Sequence, residues 1–153
     1  MGFDLYGERP KKEVGEYFRN SVWWWRPLWD YVTEVCKDVL TKGDVNDGYW
    51  NNGHWIHAKQ AKRIAERLTE LLNSGKTRDY EESYAVRLTK LPLEKCDLCQ
   101  GTGKRNDEHV KGKCNGCDGC GHRAAWATHY PFSESNVREF VESCKHSGGF
   151  RIF

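Results

Sequence analysis

The chain has 153 residues and a mass of 17.8 kDa, which allows one domain or one domain with a small module and excludes two large ones. Lys and Arg number 24 against 22 Asp and Glu, so a net charge of +2 identifies neither nucleic acid nor an anionic membrane as partner. No apolar run approaches the ~18 residues of a membrane span, and the first residues lack the basic-then-apolar pattern of a signal peptide. With a hydrophobic fraction of 38%, these features predict a cytoplasmic protein with a real core and no membrane partner. Gly2 invites an acylation reading, but Tyr6 stands where the myristoylation pattern requires Ser or Thr.

Residues 2–6 and 150–153 alternate bulky and polar side chains and are expected to pair as short strands. Twelve of the twenty aromatic residues fall in the first 55 positions, among them Trp23, Trp24 and Trp25 in a row. One buried face cannot take three consecutive indoles, so at least one is exposed, and alternation selects Trp24. Together with Asn51, Asn52 and His54, these tryptophans are the candidate surface for a partner or ligand.

Residues 28–40 carry Leu28, Val32, Val35, Cys36, Val39 and Leu40 at helical spacing, with Pro27 suited to a first turn and Gly43 to a stop. The segment 41–56, TKGDVNDGYWNNGHWI, reads as a polar loop. It does not fit an EF-hand, because Gly48 falls one residue early and Trp55 occupies the position of the final Glu. Its enzymatic reading would use Asp47 and His54 as an acid–base pair, and its weak metal reading would use His54 with His57. Residues 56–73 form the clearest predicted helix, with an apolar stripe through Ala61, Ile64, Ala65, Leu68, Leu71 and Leu72 and a stop at Gly75. A weaker helical pattern runs through Tyr80, Tyr84, Ala85 and Leu88 before Pro92.

Five of the seven cysteines then lie within 25 residues: Cys96 and Cys99, and after fourteen residues Cys114, Cys117 and Cys120. An odd number of cysteines argues against a disulfide framework. Paired C-x2-C turns with interleaved glycines instead suit one tetrahedral zinc ion held by Cys96, Cys99, Cys114 and Cys117. Cys120 is the alternative ligand, because Cys117 and Cys120 form an overlapping C-x2-C, and His109 or His122 would serve only if a thiolate dropped out. The run 114–120 also raises an iron–sulfur cluster, but the x3-Cys-Pro continuation of bacterial ferredoxins is missing. A zinc with four thiolates has no open position, so the predicted metal is structural.

The segments Cys96-Asp-Leu-Cys99-Gln-Gly101-Thr-Gly103 and Cys114-Asn-Gly-Cys117-Asp-Gly119-Cys-Gly121 are both CxxCxGxG repeats. They resemble the cysteine-rich region of DnaJ-type co-chaperones, in which four repeats pair to make two zinc sites in an extended β-hairpin module. Two repeats here imply one zinc. The match covers residues 96–121, and the chain has neither the family's His-Pro-Asp tripeptide nor its Gly/Phe-rich linker. The same repeat occurs in small non-chaperone proteins, where it implies a scaffold for binding another protein.

After the repeats, Ser133 is the predicted N-cap of a helix through Val137, Phe140, Val141 and Cys144, with Gly148 and Gly149 as its stop. Cys36 and Cys144 lie on predicted apolar faces and read as core. The stretches GEYFRNSVWWWRPLWDYV and PFSESNVREFVESCKHSGGF look similar to short proteins of bacteria and their phages, a resemblance that suggests a small regulator or host-interaction protein.

The expected fold is mainly α: a small helical domain with an inserted zinc-binding β-hairpin and short terminal strands. Its parts are an aromatic-rich helical region (1–94), the zinc module (95–123) and a C-terminal helix packing back on the first region (124–153), in one compact domain. The expected function is a non-enzymatic, zinc-stabilised protein that binds a protein partner or itself. The alternatives are a nucleic-acid-binding module, for which residues 95–123 carry six Lys/Arg against four Asp/Glu, and a small-molecule or enzymatic pocket at 44–57.

Overall fold

The computed structural model describes residues 2–153, which divide into two compact units, 2–85 with 130–153 and 86–129. Helix makes up about 47% of the chain and strand about 18%, so the fold is mixed α/β and the mainly α expectation is wrong. What overturns it is a four-stranded antiparallel sheet in the first unit, of order β2-β1-β8-β3. Its strands are β1 (Gly2–Gly7), β2 (Tyr17–Ser21), β3 (His54–Ile56) and β8 (Phe150–Ile152).

The chain ends pair, Leu5 facing Ile152, but each end strand also gains an outer neighbour. β2 binds β1 with Phe3 facing Asn20, and β3 binds β8 with Ile56 facing Phe150. Both added strands are short, and β3 lies inside the polar segment that reads as a loop, which is why periodicity passes over them. One side of the sheet buries Phe3, Leu5, Phe18, Ile56, Phe150 and Ile152.

Helix α1 (Val22–Val35) starts six residues earlier than the 28–40 pattern and ends at Val35. Pro27 therefore lies inside it rather than in its first turn, and the three tryptophans are helical. Trp25 is fully buried and stacked between Phe3 and Trp29, at 5.4 Å from each, while Trp24 is 38% exposed. The carbonyl of Val35, at the negative end of α1, accepts from Arg67 Nη1 at 2.6 Å, and Arg67 also grips Asp38.

The segment 41–56 is not a loop. It holds α2 (Lys42–Asp47) and the strand β3. The Trp25 and Trp29 indoles donate to the carbonyls of Gly48 (2.8 Å) and Val45 (3.2 Å), fastening α2 to α1. A Cβ at Gly48 would lie 2.1 Å from the Trp29 ring, so only glycine permits this approach.

Helix α3 (Ala58–Asn73) buries Ala61, Ile64, Ala65, Leu68 and Leu72. The following α4 (Lys76–Thr89) is longer than its weak apolar pattern, because it is held by aromatic contacts rather than a continuous stripe: Tyr31 meets Tyr80 at 4.6 Å and bonds Thr77 at 3.0 Å. Ser133 caps α5 (Glu134–Ser147), accepting from the Ser135 and Asn136 N–H groups, and Gly148 ends it at φ 65°. Cys36 and Cys144 are both buried in this unit's core.

The second unit contains two ribbons, β4 (Glu94–Lys95) with β7 (His122–Arg123), and β5 (Lys104–Asn106) with β6 (Lys111–Lys113). Among the described residues, no helix is long and apolar enough to cross a membrane.

Candidate metal centre

The two CxxCxGxG segments fold into the same turn twice, eighteen residues apart, and face each other. In the first, Gln100 adopts φ 54° and the Gly101 N–H donates to the Cys96 carbonyl at 3.2 Å. In the second, Asp118 adopts φ 51° and the Gly119 N–H donates to Cys114 at 3.0 Å. The Gly103 N–H then reaches the Cys99 sulfur at 3.3 Å, as the Gly121 N–H reaches Cys117 at 3.2 Å.

The halves are joined reciprocally. The Cys96 N–H donates to the Gly121 carbonyl and the Cys114 N–H to the Gly103 carbonyl, both at 2.9 Å. The ribbons obey the same exchange: Lys95 faces His122, and Lys113 faces Lys104. A Cβ at Gly103 would lie 2.2 Å from the Gly119 carbonyl oxygen, and one at Gly121 would lie 2.3 Å from that of Gly101. With φ of 73° and 82°, these two positions require glycine twice over, for conformation and for space.

This framework buries Cys96, Cys99, Cys114 and Cys117 together, with all four sulfurs within 4.8 Å of one another. Cys96 and Cys114 are 3.9 Å apart, Cys99 and Cys117 3.7 Å. A disulfide needs about 2.05 Å, so these are not bridged pairs. Four thiolates at ~2.3 Å from one ion lie roughly 3.8 Å apart at the corners of a tetrahedron, which these two separations match, and the other pairs lie within 4.8 Å. A cluster of several irons and bridging sulfides would hold its thiolates further apart, so the cage fits a single ion.

Cys99 and Cys114 sit in unequal electrostatic surroundings. Burial pushes the Cys114 thiol up to about 11, and the sulfurs of Cys117, Cys99 and Cys96 add to that. Burial raises Cys99 as well, but the Gly103 N–H, the Cys117 thiol and the Gly101 N–H outweigh it and draw Cys99 down to about 6. A cation bound among the four sulfurs would favour their thiolate forms, with release of protons.

Cys120 stands at the place that Thr102 holds in the first half. It is exposed, and its thiol donates to the His122 carbonyl at 2.9 Å, much as the Thr102 hydroxyl contacts the Lys104 carbonyl at 2.9 Å. His109 and His122 are likewise exposed, and neither joins the four-sulfur group.

Of the other sequence-selected residues, the structure brings His54 and Asp47 together but does not gather the rest into one site. Trp23 packs on Tyr130 at 5.0 Å, Trp25 is core, and Asn51 and Asn52 are exposed. His54 and His57 part company: the His57 ring lies 4.0 Å from Trp55, whereas His54 Nε2 meets Asp44 at 2.9 Å and its Nδ1 meets Asp47 at 3.4 Å.

Asp44, one of the polar residues of the 41–56 segment, has a role that the sequence reading did not assign to it. Its buried carboxylate accepts from the Thr41 N–H (2.7 Å), the Thr41 hydroxyl (2.8 Å) and Gln60 (2.6 Å) besides contacting His54. Burial works to raise its pKa, yet these donors together hold it below the usual aspartate value. The signal was present as Thr41-x-x-Asp44, a capping box at the start of α2. The cluster ties α2 to β3 and α3.

Comparison of the chain with known protein families, with curated proteins and with solved structures returned no match.

Proposed function

We propose that residues 95–123 are a zinc module of the DnaJ cysteine-rich type reduced to one site, and that the protein is a cytoplasmic, non-enzymatic binding protein whose module presents a surface to a protein partner. The four-sulfur cage carries this reading. Zinc suits a buried all-thiolate tetrahedron because it has no preferred d-electron geometry, and four thiolates leave it no vacancy for water or substrate. The metal therefore holds the two turns together, and the chemistry offered to a partner lies on the loops around it. Leu98 supports a binding role: it lies across Gly116, where a Cβ would meet it at 2.5 Å, yet remains 55% exposed.

Metal analysis of the purified full chain tests this directly. One zinc per chain is expected, with a colourless protein whose cobalt-substituted form shows the visible bands of a tetrahedral thiolate site. Substoichiometric metal, or a brown iron chromophore, would sink the assignment.

A second reading rests on charge. Residues 86–129 hold eight Lys/Arg against five Asp/Glu, while the rest of the chain has a slight acidic excess, and Lys104 faces Lys113 across the β5–β6 ribbon. Such a ribbon suits a phosphate backbone. Affinity for an oligonucleotide that falls steeply with salt would favour this reading, and salt-insensitive or absent binding would discard it.

A further inference from the structure

The solvent side of the four-stranded sheet has an unusual composition. An antiparallel sheet with one covered face ordinarily shows water an array of polar side chains. Here one row across the strands reads Tyr17, Tyr6, Arg151, Trp55, each facing the next in register. The adjoining row reads Arg19, Asp4, Phe153, with Phe153 bonded backbone to backbone to Asp4. The four rings are 40–49% exposed. They also touch one another: Tyr6 lies 5.2 Å from Tyr17 and 5.9 Å from Phe153, and the Arg151 guanidinium sits 5.2 Å above the Trp55 ring.

Tyrosine, tryptophan, phenylalanine and arginine are the residues enriched at protein interfaces, where lysine, glutamate, aspartate and serine are depleted. Of the depleted types these two rows contain only Asp4, which is paired with Arg19. Contiguous exposed rings of this kind mark a surface that is covered in use.

We infer that this face is an interface with a second copy of the same chain, packed sheet to sheet about a two-fold axis. The charges select this occupant. Arg19 pairs with Asp4 at 3.6 Å and Arg151 with Glu8, so the face is electrically balanced. A nucleic acid requires surplus cations, which this face lacks. A two-fold axis places a surface against itself, and a face whose charges balance meets its copy without net repulsion, each Arg able to meet the copy's Asp or Glu. One sheet face also packs on another about 10 Å away, as two copies would.

The affinity should be modest. Four strands about 4.8 Å apart and three to six residues long, at ~3.4 Å per residue, span roughly 19 Å across and about 10–20 Å along the strands. That footprint is well below the ~800 Å² per partner of a tight complex, so micromolar dissociation is expected. This inference goes beyond the zinc reading and does not depend on it, since no residue of the face belongs to 86–129.

Sedimentation equilibrium of the full chain across the micromolar range tests it. The mass should rise with concentration from 17.8 kDa towards twice that value. The double variant Tyr6→Lys with Phe153→Lys should stay at the single-chain mass with an unchanged circular dichroism spectrum. If that variant does not fold, Arg19→Asp and Asp4→Arg replace it: each alone should be a monomer, because its face repels its copy, and mixing the two should restore the dimer. A wild type that remains monomeric up to about 200 µM overturns the inference. So do face variants that dimerise like wild type, charge variants whose mixture stays monomeric, or a dimer lost on chelating the metal. A dimer in protein that never contained zinc would retain this inference while removing the zinc reading.

Discussion

The two units solve the same problem, holding a fold against chain entropy, by opposite means. The α/β unit buries a continuous set of large side chains, with Trp25, Trp29, Phe140 and Phe150 at or near zero exposure. The unit 86–129 buries only Ala125 and its four cysteine side chains among its apolar residues. Segments of such size do not fold on hydrophobic burial alone and are usually braced by a metal or disulfides. The first unit therefore depends on packing and the second on one coordination centre, and perturbations should separate them cleanly.

The largest separation should come from removing the metal. Structural zinc in peptides contributes about 10–16 kcal/mol of apparent binding free energy, so chelation or Cys114→Ser should abolish order in the module. Amide exchange should show protection lost over 96–123 and kept in α3 and α5. Loss of protection throughout both units would break the comparison. The converse perturbation is Trp25→Ala, which empties a fully buried site stacked on two rings; a cost of about 3–5 kcal/mol is expected. Chemical denaturation followed by far-ultraviolet circular dichroism should register it, while metal content stays the same.

A glycine pair sharpens the point within one residue type. Gly103→Ala places a methyl 2.2 Å from a carbonyl at φ 73° and should weaken metal retention in a chelator competition by tenfold or more. Gly75→Ala, at φ 78° with nothing within 4 Å, should cost only about 1 kcal/mol in melting experiments.

Asp44 tests the polar stitching of the first unit. Because its folded pKa is depressed, its carboxylate contributes stability that is complete above the ordinary aspartate range and is lost as pH falls through the lower folded value. Asp44→Asn should cost about 1–3 kcal/mol at neutral pH and should flatten the acid limb of the stability profile below about pH 4. An unchanged acid limb would show that the carboxylate is not what the four donors serve. The smallest effect is reserved for Cys120→Ser: with its thiol on the His122 carbonyl and outside the cage, metal stoichiometry should be retained and stability should shift by less than about 0.5 kcal/mol.

Legibility followed the range of the determining interactions. The stripe of α3 and the Ser133 cap of α5 are written in residues three or four apart, so periodicity and capping find them. The cysteine pairs are equally local, and the repeated glycines mark where the backbone must turn left-handed. β2 and β3 are different, since each is a strand only because β1 or β8 lies beside it. The polar composition of 41–56 suggests a loop for the same reason: α2 is short, and it is held by the Trp25 and Trp29 indoles from another helix. Pro27 misled by its preference for a first turn, a weak local bias that the burial of Trp25 and Trp29 overrides.

Sequence by itself determined two things: that four thiols on two glycine-rich turns would converge, and where the strongest helices run. Both are set by neighbours a few residues apart, whose spacing survives in any fold. Only tertiary structure decided that the chain ends become the centre of a four-stranded sheet, that Asp44 is the buried knot of the polar segment, and that Cys120 stands outside the cage in the place of a threonine. Those outcomes depend on pairings across tens to more than a hundred residues, for which the chain carries no periodic record.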